Sequence, residues 1–246
     1  MMKAAVYHGT RDIRIESVPE PAKPGPDDVI LEVLRGAICG SDVSEYLHGP
    51  HFTPLTQRHP ASGHVGPMII GHEFVGRILE VGAEVDGPRV GQRVVPGAGM
   101  WCGQCEWCRA GRTNLCARYY TLGLNANGGL AELVKAPARM CHPVPDGCSD
   151  DGAAMAQPLA VALHAVRRSG ATPGQTVALM GVGGIGAFIL AAARSQGLGP
   201  LIAIDIDQDR LARAARLGAT HLVNAGSEDP LERIRALTDG AGVHVF

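Results

Sequence analysis

Three sets of residues carry the chemistry legible in this sequence. The first is Cys102, Cys105, Cys108 and Cys116, spaced C-x2-C-x2-C-x7-C. Two-residue gaps let neighbouring thiolates converge on one cation, and the longer gap lets a small lobe fold back with the fourth. Four sulfurs with no open position make a structural zinc site. An iron–sulfur cluster is the rival four-cysteine chemistry, and disulfides are disfavoured because the chain reads as intracellular. The second set is Cys39-Gly40-Ser41-Asp42, after a strand, and Gly71-His72-Glu73, opening another. Neither is decisive alone, since a lone Cys or His is more often structural. The third is Gly181-Val182-Gly183-Gly184-Ile185-Gly186, a G-x-G-x-x-G run between a strand and a helix. Gly181, Gly183, Gly184 and Gly186 permit a tight turn and close approach of backbone, here with Ile185, to a pyrophosphate, and the helix N-terminus offers unpaired N–H groups. Asp205 follows 19 residues after Gly186, near the spacing of a ribose-binding acid. A carboxylate there accepts from both ribose hydroxyls and repels a 2′-phosphate, which favours NAD over NADP. The competing reading is that Asp205 only ends a strand, with Asp207 capping the next helix.

Those residues need two kinds of scaffold. Up to about residue 150 the chain reads as all-β: Lys3–Tyr7, Asp12–Glu16, Val29–Leu34, Phe74–Val81 and Leu130–Lys135 are short runs punctuated by Gly and Pro. Asp12 to Glu16 alternates strictly, as a half-buried antiparallel strand would. A compact barrel closes so many short strands economically. Ser149 followed by Asp150 and Asp151 predicts an N-cap, with a helical stretch to Arg168 broken or kinked at Pro158. Strands at Thr176–Met180, Pro200–Asp205 and His221–Val223 then alternate with helices at Gly184–Gln196, Gln208–Leu217 and Pro230–Leu237. That alternation predicts a parallel doubly wound sheet. The expected architecture is therefore all-β followed by α/β, with domains at 1–150 and 151–246.

Composition excludes several functions. With 46% hydrophobic and 19% charged residues and a net charge of −2, the chain lacks the basic surface that nucleic acid requires, and electrostatic membrane docking is disfavoured. The N-terminus has no signal-peptide core, and Gly152 to Val166 is interrupted by Gln157, Pro158 and His164, so no membrane span is expected. A cytoplasmic location is the expectation. His59 and His64, in a Gly/Pro-rich loop, are expected to be solvated rather than ligating, His142, His164 and His221 to be packing or surface residues, and Cys141 and Cys148 to be free thiols.

Taken together, the Cys39 and His72 motifs, the four-cysteine lobe and the dinucleotide run resemble the medium-chain zinc dehydrogenase superfamily over essentially the whole chain. Cys39 through Pro50, with Gly71-His72-Glu73 and Gln157-Pro158-Leu159, is similar to its polyol and butanediol dehydrogenase branch. The resemblance implies a GroES-like barrel followed by a Rossmann-type sheet, and Cys39, His72 and Glu73 as ligands of a catalytic zinc, a site type for which alcohol dehydrogenase is itself the standard example. It implies a zinc that acidifies an alcohol so that hydride passes to NAD, with Ser41 relaying the proton. Implied partners are a small alcohol or diol and, at full length, copies of the same chain. Two positions depart from the branch: Ser44 replaces the histidine that usually ends the proton relay, for which His48 or His51 could substitute, and Gln157 replaces the usual glutamate, so the zinc site, counting the Zn2+ with anionic Cys39 and Glu73 and neutral His72, sums to zero rather than −1. Three strands and the start of a fourth at Gly242–Phe246 are fewer than the six of a full dinucleotide fold, so a truncated chain, inactive alone, is the expectation. A non-catalytic zinc-binding remnant is the alternative.

Overall fold

A computed structural model describes residues 1–246. Contacts divide the chain into two compact units, Met1–Gln157 and Pro158–Phe246.

In the first unit, β1 (Met2–Gly9), β2 (Asp12–Val18) and β3 (Asp28–Ala37) precede helix α1 (Gly40–His48). There follow β4 (Met68–Ile69), β5 (Glu73–Val81), β6 (Arg93–Pro96), β7 (Gly99–Met100), the short helix α2 (Glu106–Arg109), β8 (Tyr120–Thr121), β9 (Leu133–Pro137), β10 (Cys141–Pro143) and helix α3 (Asp150–Ala154). Two main sheets form, in orders β2-β1-β4 and β10-β6-β5-β3-β9, with β7 and β8 as a separate pair. An antiparallel bridge from Ala4 to Ala131 ties the first sheet to the chain entering β9. The central core is built from Val29, Leu31, Phe74 and Ile78 on β3 and β5, at most 1% exposed, with Val94 and Val134 from their neighbours. Each such side chain contributes roughly 1.5–3 kcal/mol by leaving water, so β3 and β5 form the rigid spine of the unit.

The register of that spine brings distant residues together. The β3–β5 ladder ends on the pair Ala37↔Glu73, after two irregularities, between Ile30 and Leu31 and between Val33 and Arg35. Extra residues of this kind bend a strand and re-aim its end. Cys39 leaves the ladder just beyond Ala37, and His72 enters it just before Glu73.

Two expectations are corrected here. Strict alternation in Asp12–Glu16 predicted a half-buried strand, but Ile15 is 74% exposed while Ile13 packs inward; β2 is an edge strand that runs off the core. The helical stretch from Ser149 breaks at Met155, not at Pro158: α3 stops at Ala154 and helix α4 spans Ala156–Ser169. Pro158 is the third residue of α4, where its missing N–H has no intrahelical partner to lose. Ser149 caps α3 as expected, accepting from the Gly152 N–H.

The second unit follows the predicted alternation closely. Strands β11 (Val177–Met180), β12 (Leu201–Asp205) and β13 (His221–Asn224) alternate with helices α5 (Gly184–Ser195), α6 (Gln208–Leu217) and α7 (Pro230–Leu237). The sheet order is β11-β12-β13, all parallel, and Val245 bridges in parallel to Val177 on the other side of β11. β12 is buried along its whole length, as a central parallel strand covered on both faces must be. No helix of the chain is long and apolar enough to cross a membrane.

Candidate metal centres and nucleotide cradle

The end of the β3–β5 ladder assembles the first centre. One ligand atom from each of Cys39, His72 and Glu73 lies within 4.8 Å of the others. His72 and Glu73 are each 5% exposed, and Cys39 is half-buried as the N-cap of α1. The Ser41 hydroxyl stands 3.5 Å from His72 Nε2. Behind the ring, Asp42 Oδ1 is 3.8 Å from His72 Nδ1, its only ion-pair partner. Asp42 Oδ2 accepts from the Cys39 N–H at 2.8 Å, closing a capping box.

These groups fit a cation. Asp42 Oδ1 and His72 Nδ1 are both buried without a hydrogen-bond partner, and a metal-ligating histidine commonly directs its other nitrogen at a carboxylate. A hydrogen bond from His72, aided by Ser41, draws the Cys39 thiol below its ordinary value against the opposing effect of burial. Burial opposes charge on His72, yet Cys39 and then Asp42 outweigh it and raise its pKa. Burial pushes Asp42 up. One thiol, one imidazole and two buried carboxylates thus converge with no Lys or Arg paired to any of them. Sulfur, nitrogen and oxygen donors with room for a further ligand suit an open zinc site. Gln157 is half-buried, the second residue of α4 and the last of the first unit.

Cys102, Cys105, Cys108 and Cys116 form a second centre, again with ligand atoms within 4.8 Å of one another. Cys102 Sγ and Cys108 Sγ are 4.0 Å apart, close to the edge of about 3.8 Å for a zinc tetrahedron with 2.3 Å bonds. Backbone amides already point at the sulfurs: Gln104 N–H donates to Cys102, and the Cys102 and Arg118 N–H groups donate to Cys116. Those from Gln104 and Cys105 bring the Cys102 thiol down to about 6, whereas burial and the neighbouring thiols push Cys108 up to about 12. Arg139 fastens the lobe to the barrel, donating to the Trp101 carbonyl at 2.8 Å with its guanidinium 5.5 Å from that ring's centre. Cys141 and Cys148 are free thiols.

The second unit holds the nucleotide cradle. Gly181 follows β11 with φ +85°, and Gly183 caps α5 without any side-chain bond, leaving the first N–H groups of a helix of 12 residues open to an anion. A Cβ on Gly186 would lie 1.9 Å from the Gly181 carbonyl oxygen, so only glycine lets α5 pack on its own turn. Asp205 closes β12, 7% exposed, and does more than end a strand: Oδ2 accepts from the Val182 N–H at 2.9 Å and Oδ1 from the Asp207 N–H at 3.0 Å. Burial pushes its pKa up, but these N–H groups and Arg210, 3.8 Å away, prevail and hold the carboxyl below its usual range. Asp207 caps α6 through the Asp209 and Arg210 N–H groups. The expected cap at Asp207 is thus present, and Asp205 is tied to the glycine turn through Val182.

Sequence reasoning passed over two residues. Asp42 stands in the Cys39 motif at the capping-box position, which was a usable signal. Glu45, 1% exposed, left none, since a helical acid normally reads as a solvated face. His59 and His64 are not simply solvated: His59 Nδ1 accepts from the Ala61 and Ser62 N–H groups, and His64 Nε2 lies 3.2 Å from the Gly66 carbonyl.

Residues 25–146 match the family described as the alcohol dehydrogenase GroES-like domain, and residues 184–246 match the zinc-binding dehydrogenase family. The chain is 38% identical over 245 residues to sorbitol dehydrogenase of Bacillus subtilis, covering 99% of itself and 67% of that protein. It superposes on 2R,3R-butanediol dehydrogenase from Bacillus subtilis with a TM-score of 0.89 at 35% identity, covering 97% of itself and 68% of that chain. A provisionally described zinc-binding dehydrogenase from Sinorhizobium meliloti 1021, bound to NADP, gives a TM-score of 0.83 at 34% identity, with 94% and 64% covered. The chain thus spans about two thirds of the length of these relatives. The match to both family models in succession, with 38% identity over 67% of the sorbitol dehydrogenase relative, places this chain in the zinc-binding alcohol dehydrogenase family.

Proposed function

We propose that the protein containing this chain transfers hydride between a secondary alcohol of a polyol or vicinal diol and NAD. The observation that carries the proposal is the convergence of Cys39, His72 and Glu73 within 4.8 Å at the end of the β3–β5 ladder, in a chain similar to sorbitol and butanediol dehydrogenases. Cys39, His72 and Glu73 would hold the zinc, which supplies Lewis-acid polarisation of the alcohol oxygen. Ser41, 3.5 Å from His72 Nε2, is placed to take the hydroxyl proton. Asp42, its carboxylate 3.8 Å from Nδ1, electrostatically favours the proton on that nitrogen and so leaves Nε2 free. In the second unit, the α5 N-terminus receives the pyrophosphate. Asp205 turns its remaining lone pairs to the adenosine ribose, since an ionised carboxylate has about four acceptor positions and two are used. The whole protein containing this chain, purified and given zinc, NAD and either butane-2,3-diol or sorbitol, should form NADH, followed by absorbance. Absence of zinc-dependent turnover with diols, polyols and simple secondary alcohols would contradict the assignment.

Two substitutions probe individual roles. Asp42→Asn keeps an acceptor for the Cys39 N–H but removes the charge behind His72. Zinc affinity at the open centre should fall about tenfold, the low end for such outer-shell groups, while the cysteine lobe keeps its metal in a chelator competition. Asp205→Ala removes a charged acceptor from the ribose pocket. A hydrogen bond to a charged group contributes roughly 1.5–3 kcal/mol, so NAD binding should weaken about ten- to a hundredfold. NADP should lose less, because phosphate repulsion is relieved at the same time. The ratio of the two dissociation constants, measured by titration calorimetry, decides; an unchanged ratio removes Asp205 from the ribose site. Asp205→Asn, which retains an oxygen for Val182, separates this effect from loosening of the glycine turn.

A further inference from the structure

Helix α1 carries Cys39 at its N-cap and Ser41 and Asp42 in its first turn, so its placement sets the geometry of the open centre. A surface helix is ordinarily docked by an apolar stripe, but the only buried side chains of α1 are two carboxylates, Asp42 and Glu45. Val43, Tyr46 and Leu47 are all more than a third exposed. The helix is thus seated by polar pins rather than by hydrophobic packing. Asp42 is the pin at the metal end. Glu45 lies one turn further on, about 4.5 Å along the axis.

The Glu45 carboxylate is enclosed by backbone donors. Oε1 accepts from the Thr53 N–H at 2.8 Å and Oε2 from the His51 N–H at 2.9 Å, with the Phe52 N–H 3.3 Å from both. Burial pushes its pKa up, but these amides prevail and lower it. The Glu45 carbonyl is held as well, accepting from Tyr7 Oη at 3.0 Å and from the Gly49 N–H at 2.9 Å. Tyr7 is fully buried on β1. A Cβ on Gly49 would come within 2.4 Å of the Glu45 carbonyl oxygen and 2.6 Å of Tyr7 Oη, so nothing larger than glycine fits the knot. None of these contacts involves a metal-binding residue. A buried carboxylate is strongly disfavoured unless fully hydrogen-bonded, and a chain needing only a stable helix would more simply place an apolar side chain there.

We infer that Glu45 is a positioning residue for the open metal centre: by clamping residues 51–53 and, with Tyr7, the last turn of α1, it fixes the helix that presents Cys39 and Ser41 to His72. The inference rests on the proposed reading of Cys39, His72 and Glu73 as metal ligands. Glutamine is nearly isosteric but offers one acceptor oxygen, and its NH2 would face N–H groups. Glu45→Gln therefore releases the clamp while leaving the volume filled.

The test is metal binding by the intact protein. The cysteine lobe is filled with zinc, and the open centre is then titrated with Co(II), whose d–d bands report ligand geometry. Glu45→Gln should bind Co(II) about tenfold more weakly, comparable to loss of an outer-shell partner, with altered d–d bands and with lobe zinc and circular dichroism unchanged. Tyr7→Phe should shift both readouts in the same direction by less. Unchanged Co(II) affinity and spectrum in folded Glu45→Gln, even with a lowered melting temperature, would reduce Glu45 to a structural role and overturn the inference. Should Glu45→Gln fail to fold, Tyr7→Phe decides by the same criterion. Cys39→Ser separates the two readings. If it leaves Co(II) binding intact, the ligand assignment itself is wrong. If it abolishes binding while Glu45→Gln does nothing, only the role of Glu45 falls.

Discussion

Cys39→Ser is expected to remove one of two zinc ions per chain and all NAD-dependent turnover, while leaving the fold in place. The open centre has three protein donors within reach, and Cys39 is the one drawn towards its anionic form by His72. A serine hydroxyl has no comparable tendency to ionise near neutral pH, so the site would retain only His72 and Glu73 as effective ligands. Because a bound zinc lowers the pKa of water from about 16 to about 7, its loss leaves the substrate hydroxyl too weakly acidic to release its proton towards Ser41 at neutral pH. Each pKa unit corresponds to about 1.4 kcal/mol, so even a fraction of that shift puts turnover below detection. The helix should survive the change. Asp42 still caps it through the backbone N–H of residue 39, and Glu45 holds its other end. Metal analysis should read one zinc where wild type reads two, and circular dichroism should be unchanged. A variant that keeps both ions, or keeps its rate, would remove Cys39 from the centre.

What was legible in the sequence divides by the range of the interactions involved. The second unit was read almost element by element, because each βαβ step is local: Asp207 caps α6, Gly218 ends it in the left-handed region, and the apolar run Leu201–Ile204 is a strand covered on both faces. The cysteine lobe was legible for the same reason, its four donors falling within one short stretch. The sheets of the first unit were not. The order β10-β6-β5-β3-β9 depends on pairings far apart in sequence, and β4, β7 and β8 are strands of two residues that leave no periodic trace. Cys39 and His72 could be proposed as partners only by resemblance. Their physical meeting follows from the pairing of Ala37 with Glu73, a register that composition does not reveal. Glu45 was illegible because its partners are backbone N–H groups, which have no sequence signature.

Cys102→Ser should cost the other zinc together with the folded state of the lobe. That segment has almost no core of its own: α2 buries no residue, the 3-10 turn at Thr113–Leu115 buries none, and of the four cysteines only Cys116 is buried. Its shape therefore depends on the sulfurs being drawn to one point. Structural zinc supplies an apparent free energy of about 10–16 kcal/mol in small metal-dependent folds, comparable to the total stability of about 5–15 kcal/mol of a whole domain. Cys102 matters doubly, since its sulfur accepts the Gln104 N–H and lies 4.0 Å from Cys108. The consequence is visible to a protease. Arg109, Arg112 and Arg118 are exposed side chains whose backbone is held by the lobe turns, among them Arg109 N–H to the Cys105 carbonyl at 3.0 Å and Arg112 N–H to that of Trp107 at 2.8 Å. With zinc bound, trypsin should cut there slowly. In Cys102→Ser, or in wild type stripped by a chelator, cleavage at these arginines should become fast, and in Cys102→Ser the zinc at Cys39 should be retained until the barrel itself opens. Equal cleavage rates with and without metal would show that the lobe folds independently of its ion, and loss of both zincs together would show that the two centres are not separate.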